Sequence, residues 1–161
     1  MLSSFGTEQE MTSVFLKSPQ FDDVIRYSDW NKWEEFEASG LFGIPDIVFA
    51  FGKVTQSGQR IIRTHAFELK IRNWRRALTQ AFRYAAFAHY STVVLDDAHV
   101  QPALDSLQSF KNSNIGLLSI DRLGNIDSHY YPKFRRPYSI QLYQDYYSNL
   151  KLKLFNNPVL H

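Results

Sequence analysis

Two segments in the first half of the chain are dense in β-branched and aromatic side chains. They span residues 47–54 and 60–71 and are separated by the polar segment 55–59, which contains Gly58. β-branched and aromatic residues favour strands, and a short polar segment with glycine between two such runs is typical of a hairpin loop. The pattern therefore predicts a β-hairpin with a loop of a few residues.

Residues 7–17 have the periodicity of an amphipathic helix. The apolar stripe consists of Met11, Val14 and Phe15. These positions are three or four residues apart or adjacent, so they share one face of a helix. Thr7 is a suitable N-cap, and Glu10, three residues later, completes the pattern of a capping box. A helix is therefore predicted here.

The rest of the chain predicts further elements of both types. They are a strand at 24–27, a helix at 29–38 ended by Gly40, a helix at 73–90 with Asn73 as its N-cap, a strand at 92–95, a helix at 101–111 and a strand at 115–120. The order of the main elements is helix, three strands, helix, strand, helix and strand. Such an order predicts an α/β protein with a central mixed sheet flanked by helices.

The composition is that of a globular domain. The chain has 161 residues, of which 44% are hydrophobic and 16% aromatic, enough to bury one core. We expect a single domain over residues 1–161, with its core at about 7–120 and an aromatic and basic extension at 121–161 packed on it.

Several classes of protein are excluded or disfavoured by the same sequence. It contains no cysteine, which rules out disulfides, thiolate zinc sites and cysteine nucleophiles. No apolar run is long enough to span a bilayer, and residues 1–10 lack the basic and apolar regions of a signal peptide. We therefore expect no membrane span and a cytoplasmic location.

Polar residues at the open end of the predicted hairpin should meet in space. If the turn centres on Ser57, Asp46 lies opposite Glu68, with the two Cβ atoms roughly 4.5–5.5 Å apart. Lys70 comes two residues after Glu68 and points to the same face of the strand. A slip of one residue in the register would remove this match. The apolar residues that should point into the core instead are Phe67, Leu69 and Ile71.

Two carboxylates opposite each other destabilise a sheet unless a cation lies between them. Magnesium prefers oxygen ligands, and Asp46, Glu68 and the backbone carbonyl of Leu69 can supply them. The metal would activate a water molecule, and Lys70 is placed to orient or deprotonate that water or to stabilise developing negative charge. The pattern thus indicates magnesium-dependent phosphodiester hydrolysis. The alternative is an ordinary salt bridge of Lys70 with Glu68 or Asp46 on a solvated sheet face.

These residues resemble the signature of a known superfamily. Gly43-Ile44-Pro45-Asp46 followed by Glu68-Leu69-Lys70 is similar to the motif of the PD-(D/E)xK nucleases, and Gln80 with Tyr84 resembles the Q-x-x-x-Y element of some branches. That superfamily includes restriction endonucleases, Holliday-junction resolvases, and recombination and CRISPR-associated exonucleases. The resemblance covers about two thirds of the chain. It implies a restriction-endonuclease-like αβββαβ core and Mg²⁺ as the cofactor, with Mn²⁺ as a substitute.

The resemblance also implies roles for single residues. Asp46 and Glu68 would bind the metal, Lys70 would act on the attacking water, and Gln80 would help to position the metal site or the DNA backbone.

The superfamily often adds a metal-binding glutamate from the first helix, for which Glu8 and Glu10 both qualify here. At about 100° per residue, Glu8 lies nearer than Glu10 to the apolar face of that helix, so it reaches the sheet more readily. Glu8 is therefore preferred, and Glu10 would then only cap the helix.

The helix predicted after Lys70 has two faces. Its apolar stripe consists of Trp74, Ala77, Leu78, Ala81, Phe82 and Ala85, whereas its polar face consists of Arg72, Arg76, Gln80 and Arg83, with Tyr84 near the boundary. The basic face begins beside the predicted metal site, and its candidates for contact with nucleic acid are Arg72, Arg76, Arg83 and Tyr84. The alternative is a solvated face that only supports solubility.

Residues 129–155 interleave aromatic side chains with lysines and arginines. Tyrosines can stack on unpaired bases while the cations hold phosphates. The same composition can instead cover a sheet edge or form a dimer interface, so the segment is not assigned to the site.

Together these patterns predict a metal-dependent deoxyribonuclease. DNA is the expected partner, because it is the usual substrate of the superfamily that the chain resembles. A homodimer and a subunit of a nucleoprotein complex are both compatible with the sequence. The alternative function is a catalytically silent nucleic-acid-binding or assembly module of the same fold.

Overall fold

A six-stranded mixed sheet forms the centre of the protein. The computed structural model describes residues 3–27, 29–36 and 45–155. The strands follow one another across the sheet in chain order: β1 (Asn31–Phe36), β2 (Ile47–Val54), β3 (Arg60–Lys70), β4 (Tyr90–Asp96), β5 (Gly116–Ile120) and β6 (Ile126–Tyr130). β1, β2 and β3 are antiparallel, β3, β4 and β5 are parallel, and β6 is antiparallel to β5.

Helices cover both faces of this sheet. They are α1 (Glu8–Leu16), α2 (Phe21–Val24), α3 (Trp74–Tyr84), α4 (Gln101–Leu104), α5 (Leu107–Ser113) and α6 (Ile140–Phe155). α3 packs on one face, where Ala66 and Val93 are buried, and α1 and α2 pack on the other, against Phe49 and Phe67. The predicted α/β class, with a mixed sheet between helices, is confirmed. No helix in the described ranges is long and apolar enough to cross a membrane.

The predicted hairpin and first helix are confirmed. β2 has the predicted bounds, and β3 ends one residue earlier than predicted, at Lys70. The side chain of Thr7 caps α1 by accepting the backbone N–H of Glu10 at 3.0 Å. The Glu10 carboxylate completes a variant of the capping box, since it accepts the N–H of Gly6 at 3.1 Å.

The predicted helix at 29–38 is wrong, because residues 31–36 form the edge strand β1. β1 pairs with β2 along its whole length, from Asn31 opposite Gly52 to Phe36 opposite Ile47. Hydrogen bonding to the open edge of a buried strand outweighs a helical preference worth only tenths of a kcal/mol per residue. Gly40, predicted to end that helix, lies outside the described residues, as do Gly43 and Ile44 of the motif.

The predicted strand at 24–27 is also wrong. One helical turn, α2, occupies residues 21–24 instead, and it buries Phe21 and Val24 in the core. Residues three apart share a face of a helix but not of a strand, so this turn brings both side chains to the sheet.

α3 is shorter than the predicted helix at 73–90, because the chain is bonded to β3 before residue 90. The N–H of His89 donates to Thr64 Oγ1 at 3.1 Å, and the N–H of Thr64 donates to His89 Nδ1 at 3.0 Å. These bonds start β4 at Tyr90. The predicted helix at 101–111 is likewise divided, into α4 and α5, because Ser106 leaves the helical region with φ −117° and ψ 26°.

The chain beyond residue 120 contains two elements that the sequence pattern did not indicate. β6 returns alongside β5 through a turn in which Asp121 Oδ1 accepts the N–H groups of Leu123 and Asn125, and Gly124 has φ +87°. Residues 126–130 therefore belong to the same sheet as the hairpin. The second element, α6, packs against β1 and β2.

Candidate active site

The register of the hairpin brings Asp46 and Glu68 to the same end of the sheet. Ile47 pairs with Phe67, so the residue before β2 is level with Glu68. Asp46 Oδ2 accepts the backbone N–H of Leu69 at 2.7 Å. The Leu69 side chain is buried in the opposite face of the sheet, as predicted, so that its carbonyl oxygen is the donor atom that it can offer to a metal.

Glu68 is a buried carboxylate between the sheet and α3. Only 2% of the residue is exposed. Tyr84, which comes from the last turn of α3, donates its hydroxyl to Glu68 Oε2 at 2.5 Å. The sequence pattern predicts Tyr84 near the boundary between the two faces of this helix, as a nucleic-acid contact. The structure corrects this placement, because Tyr84 is 1% exposed and binds Glu68 instead.

Lys70 lies between two carboxylates that come from different elements. Its Nζ is 3.4 Å from Glu68 Oε1 and 3.2 Å from Glu8 Oε2. The side chain of Lys70 is 20% exposed, so this ion pair faces solvent on one side while Glu68 is enclosed. The lysine thus links the first helix to the sheet at the site.

Of the two glutamates weighed for the first helix, Glu8 is the one that reaches the site. Glu10 instead pairs with Arg122, with 2.9 Å between Glu10 Oε1 and Arg122 Nη2, and caps the N-terminal turn. Glu8 thus belongs to the site beside Lys70, whereas Glu10 stabilises the helix.

The electrostatics of the site raise the pKa of two groups. Burial and the negative charge of Asp46 raise the pKa of Glu68 to about 7, although the Tyr84 hydroxyl and Lys70 oppose the change. Burial alone would lower the pKa of Lys70, but the neighbouring charges of Glu68, Glu8 and Asp46 outweigh it and raise that pKa. Glu68 therefore exchanges its proton near neutral pH while Lys70 stays charged.

Gln80 lies on α3 one turn before Tyr84, so both side chains occupy the same side of the helix. Its Oε1 is buried and has no hydrogen-bond partner among the described residues. A buried acceptor without a partner is costly, which makes this oxygen a candidate ligand or substrate contact. The sequence pattern had placed Gln80 on the basic outer face, and the structure corrects this to a half-buried position.

The three arginines expected to contact nucleic acid lie on the outside of the protein. Arg72, Arg76 and Arg83 are exposed, and none of them pairs with a carboxylate of the described residues. Phe82, expected in the apolar stripe, is 45% exposed on α3. The inward positions are taken by Ala77, Ala81 and Tyr84. Phe82 therefore lies on the outside of α3, where the pattern predicts burial, and Tyr84 is buried, where the pattern predicts the boundary of the polar face.

The side chains near Lys70 offer oxygen donors, although the described residues form no metal-ligand cluster. The described residues contain no group of three or more His, Cys, Asp or Glu side chains arranged to hold a metal ion. Near Lys70 they do provide the carboxylates of Asp46, Glu68 and Glu8, and the unpartnered oxygen of Gln80 lies on the helix above. All of these donors are oxygens, the ligand type that Mg²⁺ and Mn²⁺ prefer.

The spacing of Gln80 and Tyr84 shows that their side chains share one side of α3, but it does not show that this side is buried. Residues four apart lie on one side of a helix, so a helix that buries Tyr84 also turns Gln80 inward.

Comparisons of the chain with protein-family models, with curated proteins and with solved structures found no match. The function is therefore argued from the geometry of these side chains.

Proposed function

We propose that this protein is a metal-dependent nuclease that hydrolyses DNA phosphodiester bonds. The observation that carries the proposal is the convergence of Asp46, Glu68, Glu8 and Lys70 at one end of the sheet, with Glu68 buried and held by Tyr84. Ionisable groups with shifted pKa values in such a cluster are typical of functional sites. A salt bridge on a solvated sheet face, the structural alternative, does not require burial of the acid.

The residues present would divide the chemistry between them. Asp46 and Glu68, with the Leu69 carbonyl and Glu8, are the groups that would hold Mg²⁺. When bound, the cation would neutralise phosphate charge and activate a water molecule for attack. Lys70 would orient that water or stabilise negative charge through its ammonium group. Tyr84 fixes the orientation of Glu68, and Gln80 offers a free oxygen to the metal site or to the DNA backbone.

The order of elements supports the same proposal. Apart from the single turn α2 between α1 and β1, the order is α1, β1, β2, β3, α3 and β4, as the PD-(D/E)xK superfamily would require for its αβββαβ core. Asp46 precedes the second strand and Glu68 and Lys70 end the third, which agrees with the resemblance in the sequence. We therefore propose that the chain has this restriction-endonuclease-like core.

The charge of the neighbouring surface favours a nucleic acid as the substrate, and the resemblance to the nuclease superfamily makes that nucleic acid DNA. Arg72 lies two residues after the end of β3, and Arg76 and Arg83 extend the exposed positive charge along α3. Arginines in such a position bind phosphates irrespective of sequence, and they would orient a strand across the metal site.

The test is cleavage of linear, supercoiled, branched and single-stranded DNA in the presence of Mg²⁺ or Mn²⁺. Asp46→Asn and Lys70→Ala should abolish cleavage, and Asp46→Asn should also weaken metal binding measured by calorimetry. Asp127→Asn, which changes an exposed carboxylate on β6, is the matched control and should cleave like the unaltered protein. Cleavage that persists in purified Asp46→Asn protein would refute the assignment.

One observation favours a second candidate, a catalytically silent nucleic-acid-binding or assembly module. The ammonium group of Lys70 already pairs with the carboxylates of Glu68 and Glu8, so the site contains a positive charge without a metal ion. DNA binding that is insensitive to Mg²⁺, without cleavage of any substrate in the panel, would favour this module over the nuclease.

A further inference from the structure

Exposed apolar side chains are concentrated at one place, away from the carboxylate site. Six large apolar side chains are exposed among the described residues, and four of them lie together: Phe82, Phe134, Tyr138 and Ile140. Phe82 and Tyr138 stack on each other with ring centroids 6.0 Å apart and an interplanar angle of 28°. Both rings are about half exposed, at 45% and 52%. Such a patch indicates a binding surface.

A cleft of about 630 Å³ opens beside this pair. Its lining includes Phe134, Tyr138 and Tyr143 together with His89, whose ring stacks on Phe134 at 5.5 Å. The volume lies in the range of small-ligand sites, and half of the lining residues carry aromatic rings. The segment that carries Tyr138 is fixed to the end of α3, because the Tyr138 and Ser139 N–H groups donate to the carbonyls of Ala85 and Ala86.

The cleft is positively charged. Arg63 and Arg136 line it, and its described lining contains no aspartate or glutamate. Neither arginine pairs with a carboxylate of the described residues. The Arg63 guanidinium lies over the Phe134 ring, 4.6 Å from its centroid. Burial and the neighbouring Arg63 lower the pKa of His89 to about 4, so the histidine is neutral at physiological pH.

Exposed arginines lie along α3 between this cleft and the carboxylate site. Arg63 and Lys70 lie on β3 seven residues apart, about 23 Å along the strand, and this odd spacing points their side chains to opposite faces of the sheet, so the connection runs along α3. α3 connects the parallel strands β3 and β4, and its first turn follows Lys70. In its last turn the buried Tyr84 reaches Glu68, whereas the exposed Phe82 packs on Tyr138 beside the cleft. The exposed Arg72 lies just before α3 and the exposed Arg76 in its first turn, so both are nearer to the carboxylate site than to the cleft.

We infer that the Phe82–Tyr138 pair and the adjoining cleft bind unpaired nucleotides of a nucleic-acid strand. Exposed flat rings next to arginines that pair with no carboxylate of the described residues match a polyanion that carries flat bases, whereas a neutral partner would leave those charges without a counter-charge. The inference rests on the proposed nuclease function in one respect only, namely that the bound strand is part of the substrate. It specifies that substrate as DNA with a single-stranded segment that extends from the carboxylate site along α3.

The experiment is fluorescence anisotropy of a labelled single-stranded oligothymidylate with the full chain, in EDTA. Removing the metal separates binding at the cleft from cleavage. Tyr138→Ala and Phe82→Ala should each weaken binding about tenfold, since one base loses its stacking partner. Tyr138→Phe should bind like the unaltered protein, because it keeps the ring. Leu123→Ala removes an apolar side chain outside the patch that is even more exposed, at 84%, and is the control.

The arginines provide a second readout. Arg136→Gln should reduce the slope of log affinity against log salt concentration by about 0.7, the change expected for one lost phosphate contact on a single strand. Lys17→Gln, an exposed cation outside the cleft, should leave that slope unchanged. Circular dichroism would establish that all variants are folded.

The outcomes separate this inference from the proposed function. Ring-dependent oligonucleotide binding without cleavage supports the cleft and counts against the nuclease. Cleavage with unchanged oligonucleotide binding in Tyr138→Ala and Phe82→Ala overturns the inference and leaves the nuclease standing. If those two variants instead convert a dimer to a monomer in sedimentation without changing oligonucleotide binding, the patch is an interface between copies and the inference is overturned.

Discussion

Glu68 is held where a carboxylate is costly to ionise. It is enclosed between β3 and α3, Asp46 repels its charge, and only the Tyr84 hydroxyl and the Lys70 ammonium offset these effects. A group kept in this way exchanges its proton near neutral pH and binds a cation strongly once the proton has left.

The pH dependence of stability should reveal this cost. Glu68 keeps its proton up to about pH 7 in the folded protein, whereas in the unfolded chain it loses the proton near 4.5. The folded state therefore holds more protons in this interval, and the free energy of unfolding should fall as pH rises through it, by on the order of 3 kcal/mol.

Replacement of the acid by its amide provides the check. Glu68→Gln should remove the pH-dependent loss and be more stable than the unaltered protein at pH 8, in urea unfolding experiments with EDTA. Asp127→Asn should leave the pH dependence in place. A Glu68→Gln protein destabilised equally at pH 5 and pH 8 would contradict this account.

Tyr84→Phe tests the role of the buried hydroxyl. The hydrogen bond from Tyr84 lowers the pKa of Glu68, so its loss should raise that pKa further and move the acidic limb of the cleavage-rate profile to higher pH. Loss of the donor to a buried acceptor should also cost about 1–3 kcal/mol of unfolding free energy. The pH–rate profile is the measurement, and Asp127→Asn, at an exposed carboxylate on β6, should not shift it.

At the scale of elements, the connection from β3 to α3 decides where Gln80 and Tyr84 lie. Asn73 makes the turn with φ +47°, and its side chain caps α3 by accepting the N–H of Arg76 at 3.3 Å. The N-cap was predictable, because asparagine suits both the cap and the left-handed backbone. The end of α3 was not, because it depends on the bonds between His89 and Thr64 across the sheet.

Two substitutions at Asn73 separate its cap from its backbone conformation. Asn73→Ala should lower the unfolding free energy by about 1–2 kcal/mol, since it loses the cap and places a less suitable residue at positive φ. Asn73→Gly should cost less than about 1 kcal/mol, because glycine adopts positive φ without strain. Denaturant unfolding would measure both, with Asn112→Ala on α5 as a control. Equal losses in the two variants would refute a role for the left-handed backbone.

At the scale of the whole molecule, the site joins parts that are distant in the chain. Glu8 comes from α1, Asp46 precedes β2, and Glu68 and Lys70 end β3. A cation bound among these carboxylates would therefore stabilise the folded protein as a unit, since the unfolded chain does not hold them together.

Magnesium should accordingly raise the melting temperature, and more at pH 8 than at pH 6. The cation competes with the proton on Glu68, and that competition weakens as pH rises through about 7. Thermal unfolding with Mg²⁺ or Mn²⁺ is the measurement. Glu68→Gln should lose the increase, whereas Glu10→Gln, on the same helix but paired with Arg122, should retain it. An increase that survives Glu68→Gln would place the cation elsewhere.

The sequence by itself determined the hairpin, its register and the cap of α1. These features depend on residues that are close in the chain. A short loop fixes which residues of the two strands lie opposite each other, and successive side chains of a strand point to alternate faces. Together these rules place Asp46 level with Glu68. Tertiary structure alone decided that residues 31–36 form a strand, that Tyr84 turns inward and that Lys70 meets Glu8. It also assembled the cleft from Arg63 and Phe134, 71 positions apart in the chain. Local preferences are worth tenths of a kcal/mol per residue, so pairing and burial between distant segments override them.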